Sequence, residues 1–231
     1  YQNFWEPLTV AALNTDPQSA AAHLMRPVLT ETFLRGSQAC RPLVARHSLA
    51  DTLIDPAIEM LTANGADIKF GSRVKSLHIE NNEVNALELD SGNLNIARGD
   101  MVVVATPPWI AGTLVPGLSV PPPGEPIVNV HYRLPETTGD NESVRIIGII
   151  NGLEQWVFVR GDLVSVTISA AASSVDRPAE EISSACWNNV SAALEITAEE
   201  PPSRVVKERR ATFAQTPQAL KMRPETDTNH P

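Results

Sequence analysis

Few side chains in this sequence stand in patterns that do chemistry. No G-x-G occurs among the 12 glycines, so the turn that seats a dinucleotide pyrophosphate on a helix N-terminus is missing from these residues. No P-loop, H-E-x-x-H, C-x-x-C or G-x-S-x-G occurs either. Phosphate cradling, zinc hydrolysis, dithiol exchange and the nucleophile elbow therefore lack their residues. His23, His47, His78, His131 and His230 form no cluster, and each reads as a surface or capped-loop residue. His131 alternates within VNVHYRL, so it faces either a pocket or a polar strand face. Asp51, Asp55 and Glu59 recur at helical spacing. That spacing could pair carboxylates for acid–base work, but caps and a solvated helix face are its commoner uses. No residue is named as a catalytic acid, base or metal ligand.

The stretch GDMVVVATPPW, Gly99 to Trp109, stands out. Met101 to Ala105 is an apolar run that reads as a strand buried on both faces. It ends in Thr106, two prolines and Trp109, on the loop where sheets of α/β proteins bind ligands. Trp5, Trp109, Trp156 and Trp187 are large apolar bodies with one donor each, and core packing is their default.

The elements that would position these residues follow from pattern. Phe4, Trp5, Leu8, Ala11 and Ala12 fall near helical spacing, and Asn14 can end that helix. Asp16 with Pro17 predicts a second helix, which Pro27 should kink or divide and Gly36 close. Ser48 or Asp51 can cap a short helix. Asp55–Pro56 predicts another that buries Ile58, Met60 and Leu61 and ends at Asn64–Gly65. Ile68 and Phe70 alternate. Val74, Leu77 and Ile79 sit in a strand with one register change, Asn81–Asn82 turns it, and two further strands lead to Met101. IVNVHYRL, VRIIGIING, QWVFVRG and LVSVTISAA predict a second antiparallel meander. A helix through Ile182, Trp187, Val190 and Leu194 follows, then a last strand in SRVVKERRATFA.

Composition narrows the class. The 231 residues are 42% apolar, enough for a core, and the net charge of −9 argues against a nucleic-acid surface. Cys40 and Cys186 read as small buried thiols of a reducing compartment. No run of 18 apolar residues is present, so no membrane span is expected in these residues, and none of them is expected to be a signal peptide. Tyr1 at the start and TNHP at the end read as cuts, so a piece of a longer protein is expected.

The block from Gly65 to Trp109, a helix end followed by a meander and then D-x-V-V-V-A-T-P, resembles the middle of the flavin amine oxidase and carotenoid desaturase superfamily. NFWEPLTVAALNTDPQSA, QWVFVRG with LVSVTISAA, and KERRATFAQTP narrow the likeness to the squalene-associated FAD-dependent desaturases, the hydroxysqualene dehydroxylases. The likeness runs from Asn3 to about Arg223. It implies a mixed α/β fold, the central part of a two-domain amine-oxidase-like protein. Residues 1–62 would be helices of the substrate domain, and 63–112 the meander and buried strand of the FAD domain. Residues 113–215 would be the substrate-domain sheet and helix, and 216–231 a linker back to the FAD domain.

The resemblance also implies FAD as cofactor. Val74, Ala105, Thr106, Pro107 and Trp109 would lie against it. Segments outside this chain, or a companion chain, would supply the glycine-rich motif. Phe4, Trp5, Leu8, Leu24, Val28 and Phe33 become candidates to line an apolar tunnel for an isoprenoid. The implied reaction replaces the hydroxyl of hydroxysqualene by hydrogen. A lipid substrate implies peripheral contact with the inner face of a membrane by a cytoplasmic protein. Amine oxidation, carotenoid-type desaturation and a non-catalytic subdomain that binds no flavin remain the alternatives. Without neighbouring strands, Met101–Ala105 is expected to keep unpaired edges and bare apolar faces.

Overall fold

The computed structural model describes residues 1–136 and 144–228, so His230 lies outside the described residues. In chain order the elements are α1 (Trp5–Leu13), a 3-10 turn at Ala22–Leu24 entering α2 (Met25–Glu31), and another at Phe33–Arg35. A wide π-type turn at Ala50–Ile54 enters α3 (Asp55–Ala63), and β1 (Val74–Glu80), β2 (Glu83–Leu89), β3 (Gly92–Asn95) and α4 (Pro108–Leu114) follow. Then come β4 (Ile127–Arg133), β5 (Val144–Gly148), β6 (Trp156–Arg160), β7 (Leu163–Ile168), α5 (Ala179–Leu194), β8 (Ser203–Glu208) and α6 (Pro217–Leu220). The fold is mixed α/β with antiparallel sheets, and the chain divides into two compact units. One unit is Tyr1–Leu53 with Pro123–Pro217; the other is Ile54–Pro122 with Gln218–Pro231.

In the first unit five strands pair antiparallel in the order β5-β6-β7-β4-β8. The expected single meander is therefore corrected. Only β5, β6 and β7 run as neighbours, because the tight turn at Gly161 (φ 58°) leaves the far edge of β7 open and β4 takes it. Alternation decides the core. Val128, Val130 and Tyr132 of β4, Val157 and Val159 of β6, and Val164, Val166 and Ile168 of β7 point to one face and are buried. Helix α5 lays Ile182, Cys186, Trp187 and Val190 on that face. The Tyr132 and Trp187 rings meet at 5.2 Å, and Tyr132 donates its hydroxyl hydrogen to the Ser183 carbonyl at 2.6 Å. Glu180 and Glu181 sit in the first turn of α5, where the helix dipole favours negative charge. Glu195 closes the helix in a left-handed conformation, with Ile196 N–H donating to Ser191 O at 2.8 Å.

Asn14 ends α1 in a left-handed conformation (φ 46°), as its position suggested, and its side chain joins three distant segments. Nδ2 donates to Glu125 O at 2.6 Å and to Thr212 Oγ1 at 3.0 Å, while Oδ1 accepts from Ala170 N–H at 2.6 Å. The next expectation fails. Asp16 with Pro17 closes a single turn, where Gln18 N–H donates to Asp16 Oδ1 at 2.7 Å, and helix begins only at Ala22. Pro27 does not divide α2, because it lies in the first turn, where its missing N–H has no acceptor to lose. Cys40 is exposed, which corrects the reading of two buried thiols; only Cys186 is buried.

In the second unit β1-β2-β3 form a small antiparallel sheet. Asn81 and Asn82 turn the first hairpin with φ of 53° and 64°, the left-handed pair that a two-residue connection needs. The β1–β2 register shifts twice, between Val74 and Ser76 and between His78 and Ile79, rather than once. Helix α4 packs on β1. Ile68 and Phe70 lie outside any strand, with Phe70 exposed. Met60 and Leu61 are exposed and Ile58 is only half-buried, which corrects the expected burial of α3. The sheet of this unit is too small to supply a second apolar layer for that helix.

Two stability outcomes follow. Ile182→Ala should cost about 2–5 kcal/mol in urea unfolding, since the side chain is fully enclosed between α5 and the sheet. Asn14→Ala should cost roughly 2 kcal/mol or more, because three hydrogen bonds and a favoured left-handed residue are lost together.

Candidate functional site

Around Gly99–Trp109 the backbone is arranged by turns rather than by pairing. Ala97 N–H donates to Asp100 Oδ2 at 3.0 Å and Asp100 N–H to Ala97 O at 3.1 Å, with Gly99 at φ 97°. The run that follows is not the buried strand expected. Residues Met101 to Ala105 belong to no ladder among the described residues, and Met101 and Val103 are 91% and 82% exposed. Alternation survives, since Val102 and Val104 are half-buried, but no strand lies beside them in this unit. The expected unpaired edges and bare apolar faces are present.

Ala105, Thr106 and Pro107 are exposed. Pro107 (φ −56°, ψ 150°) holds the chain extended and starts α4 by accepting from Ile110 N–H at 2.9 Å and Ala111 N–H at 3.0 Å. Trp109 is half-buried in the first turn of α4. Val74 heads β1 opposite Leu89, next to the first register shift. Because α4 packs on β1, Trp109 and Val74 stand on two elements that touch. A cleft of about 600 Å³ in this unit runs along Asn82–Asn85 and Ile96–Val102, so it reaches Met101 but not Ala105–Trp109.

The proposed lining residues fall in the first unit. Phe4 lies 5.0 Å from Trp5 and 5.7 Å from Phe33, ring centre to ring centre, both edge-on. All three aromatics are close to half exposed, and Leu8, Leu24 and Val28 are partly buried on the same helical segment. The arrangement is an aromatic patch rather than a closed tunnel. Asp51, Asp55 and Glu59 are exposed, and Asp51 is engaged in a cap with Ser48. That is the structural use of the carboxylates.

Two features were not read from the sequence. Glu154 is fully buried with both carboxylate oxygens lacking a hydrogen-bond partner among the described residues. Burial, and after it the Glu154 carboxylate, push the Cys186 thiol well above its usual range. In NGLEQWVF this glutamate had no periodic partner to mark it as internal. The second is a polar ladder on the sheet face turned away from α5. His131 Nδ1 and Ser165 Oγ are 2.9 Å apart, and Thr167 donates its hydroxyl hydrogen to Asn129 Oδ1 at 2.8 Å. Burial, with the Arg204 charge second, lowers the His131 pKa from its ordinary value. Alternation in VNVHYRL allowed a pocket-facing His131, but only strand pairing reveals its companions.

Comparison with known proteins identifies the family of the chain. The family of flavin containing amine oxidoreductases matches residues 1–231. The hydroxysqualene dehydroxylase of Sinorhizobium fredii is 37% identical over 224 residues, 97% of this chain and 53% of that protein. The Rhodopseudomonas palustris enzyme of the same name is 37% identical over 225 residues, with the same coverage. That of Zymomonas mobilis is 31% identical over 224 residues. The chain thus spans about half the length of the curated relatives it matches. Among solved structures, an Exiguobacterium protein assigned as a protoporphyrinogen oxidase aligns with a TM-score of 0.61 and 12% identity, over 91% of this chain and 52% of that one. A putrescine oxidase redesigned in its cofactor binding aligns with a TM-score of 0.52 and 17% identity, over 71% and 40%. At these identities the two structures speak for the fold alone. With a family match over its whole length, this chain belongs to the flavin containing amine oxidoreductases.

Proposed function

We propose that the chain carries the central part of an FAD-dependent oxidoreductase that reductively removes the hydroxyl of hydroxysqualene. The observation that carries this reading is the 37% identity, over 97% of the chain, to hydroxysqualene dehydroxylases. Fit to a flavin rests on open main chain. Among the described residues, no backbone N–H from Met101 to Thr106 meets a backbone acceptor, and Pro107 has no N–H to satisfy. A ring system packed there would lie against Ala105, Thr106 and Pro107, with Trp109 and Val74 on the two packed elements beside it. A reduced flavin held there would supply a hydride to the carbon, and the hydroxyl would leave that carbon as water with one proton from solvent. The chain's own part is to position the alcohol and exclude water. The aromatic patch of Phe4, Trp5 and Phe33, with Leu8, Leu24 and Val28, offers apolar surface to an isoprenoid. A glycine-rich pyrophosphate motif would come from residues outside these 231. Among the described residues no helix is long and apolar enough to cross a membrane.

Full-length protein supplied with reduced FAD and hydroxysqualene should form squalene, detected by gas chromatography, and should leave primary amines untouched. Amine oxidation without squalene formation overturns the reading. Thr106→Arg should weaken flavin retention about tenfold, equivalent to about 1.4 kcal/mol, read as the 450 nm to 280 nm absorbance ratio, with the circular dichroism spectrum unchanged.

A further inference from the structure

The sheet face turned away from α5 is not an ordinary wet face. Alternation sends Ile127, Asn129 and His131 of β4, Trp156 and Phe158 of β6, and Leu163, Ser165 and Thr167 of β7 to that side. All eight are partly buried and none carries a carboxylate, ammonium or guanidinium group. On these three strands charge enters only at the ends, at Arg133 and Arg160, and β8 adds Arg204 and Glu208 at the sheet edge. An antiparallel sheet with one solvated face alternates apolar residues with polar and charged ones. Here a small polar centre has Trp156 and Phe158 on its β6 side and Arg204, opposite His131, on its β8 side.

Strand register builds that centre. Ser165 lies between His131 and Phe158, and Thr167 lies between Asn129 and Trp156. Each hydroxyl holds its β4 neighbour through one atom only: Ser165 on His131 Nδ1, Thr167 on Asn129 Oδ1. The other nitrogen of each, His131 Nε2 and Asn129 Nδ2, has no hydrogen-bond partner among the described residues. Burial, and after it the Arg204 charge, favour the neutral imidazole. In the tautomer whose Nδ1 accepts from the Ser165 hydroxyl, Nε2 carries the proton and is a donor. Both side chains are therefore pre-oriented and half-satisfied.

We propose that this face binds an apolar alcohol, with His131 and Asn129 holding the hydroxyl and Trp156 and Phe158 covering the adjoining hydrocarbon. The inference rests on the dehydroxylase reading and names positioning residues for it. A ligand with a single polar group needs such an anchor to present one carbon and no other. The same anchor separates substrate from product, because a hydrocarbon leaves both nitrogens unpaired beneath it.

The test is titration of full-length protein with hydroxysqualene and with squalene, followed by tryptophan fluorescence. Wild type should bind the alcohol roughly five- to tenfold more tightly than the hydrocarbon. His131→Phe should remove most of that preference by weakening the alcohol alone, raising KM more than it lowers kcat. His131→Gln should restore part of it. Ser165→Ala, which keeps the ring and frees its orientation, should fall between, and covers the case in which His131→Phe does not fold. A His131→Phe variant that keeps the preference, or weakens both ligands alike, overturns the inference and leaves the dehydroxylase reading standing. Squalene formation by a wild type with no preference for the alcohol has the same meaning. No preference and no squalene overturn the reading itself, and the inference with it.

Discussion

Period-two alternation on β4, β6 and β7 governs most of what the first unit can do. It commits Val128, Val130, Val157, Val159, Val164 and Val166 to the side covered by α5, and so commits Asn129, His131, Trp156, Phe158, Ser165 and Thr167 to the other. A slip of one residue in any of these strands would bury His131 or Ser165 against Ile182 and expose valines, at a cost of about 1.5–3 kcal/mol for each large apolar side chain moved into water. The buried face thus sets the chemistry of the open one. Tyr132 reinforces the register from the core side, since its hydroxyl must reach the Ser183 carbonyl of α5. Around it, Ser183 bonds Glu200 and Ser203, and Ser184 donates to Glu200 Oε2 at 2.6 Å, so α5 and β8 are tied by polar contacts at the rim.

Local chemistry made some of this legible. Asn81–Asn82, Asn14 and Asn64–Gly65 each ended an element where expected, because the left-handed conformation leaves few residue choices. The strands of the large sheet were readable from alternation, yet their order was not, since pairing between β4 and β7 is a long-range outcome with no local mark. Asp16–Pro17 misled because cap-plus-proline is equally good at opening a single turn. Met60 and Leu61 misled because periodicity reports an apolar face but not whether a second layer exists to cover it. For the site, Trp109 and the prolines could be singled out by type. The His131–Ser165 and Asn129–Thr167 pairs could not, because their members lie 34 and 38 residues apart.

The two units differ in how they treat apolar surface. The first covers one face of its sheet with α5. In the second, Met101 and Val103 stand in water beside an open backbone edge. Such an edge accepts any extended strand that matches its register, and native proteins cover or pair edges of this kind. On the dehydroxylase reading, the pairing strands belong to the rest of the protein, and the turn at Thr106–Pro107 is held at the tip of a sheet that those strands complete.

Asn14 brings one more consequence, and it concerns order in time. Its amide joins positions 111, 156 and 198 residues further along the chain. On a ribosome, the anchor for the first helix is therefore not finished until Thr212 has emerged. Until then the opening segment, with Phe4, Trp5 and Phe33, must wait unmoored and greasy while the sheet it belongs to is still being made. A segment made early within this unit is thus among the last of the unit to be locked.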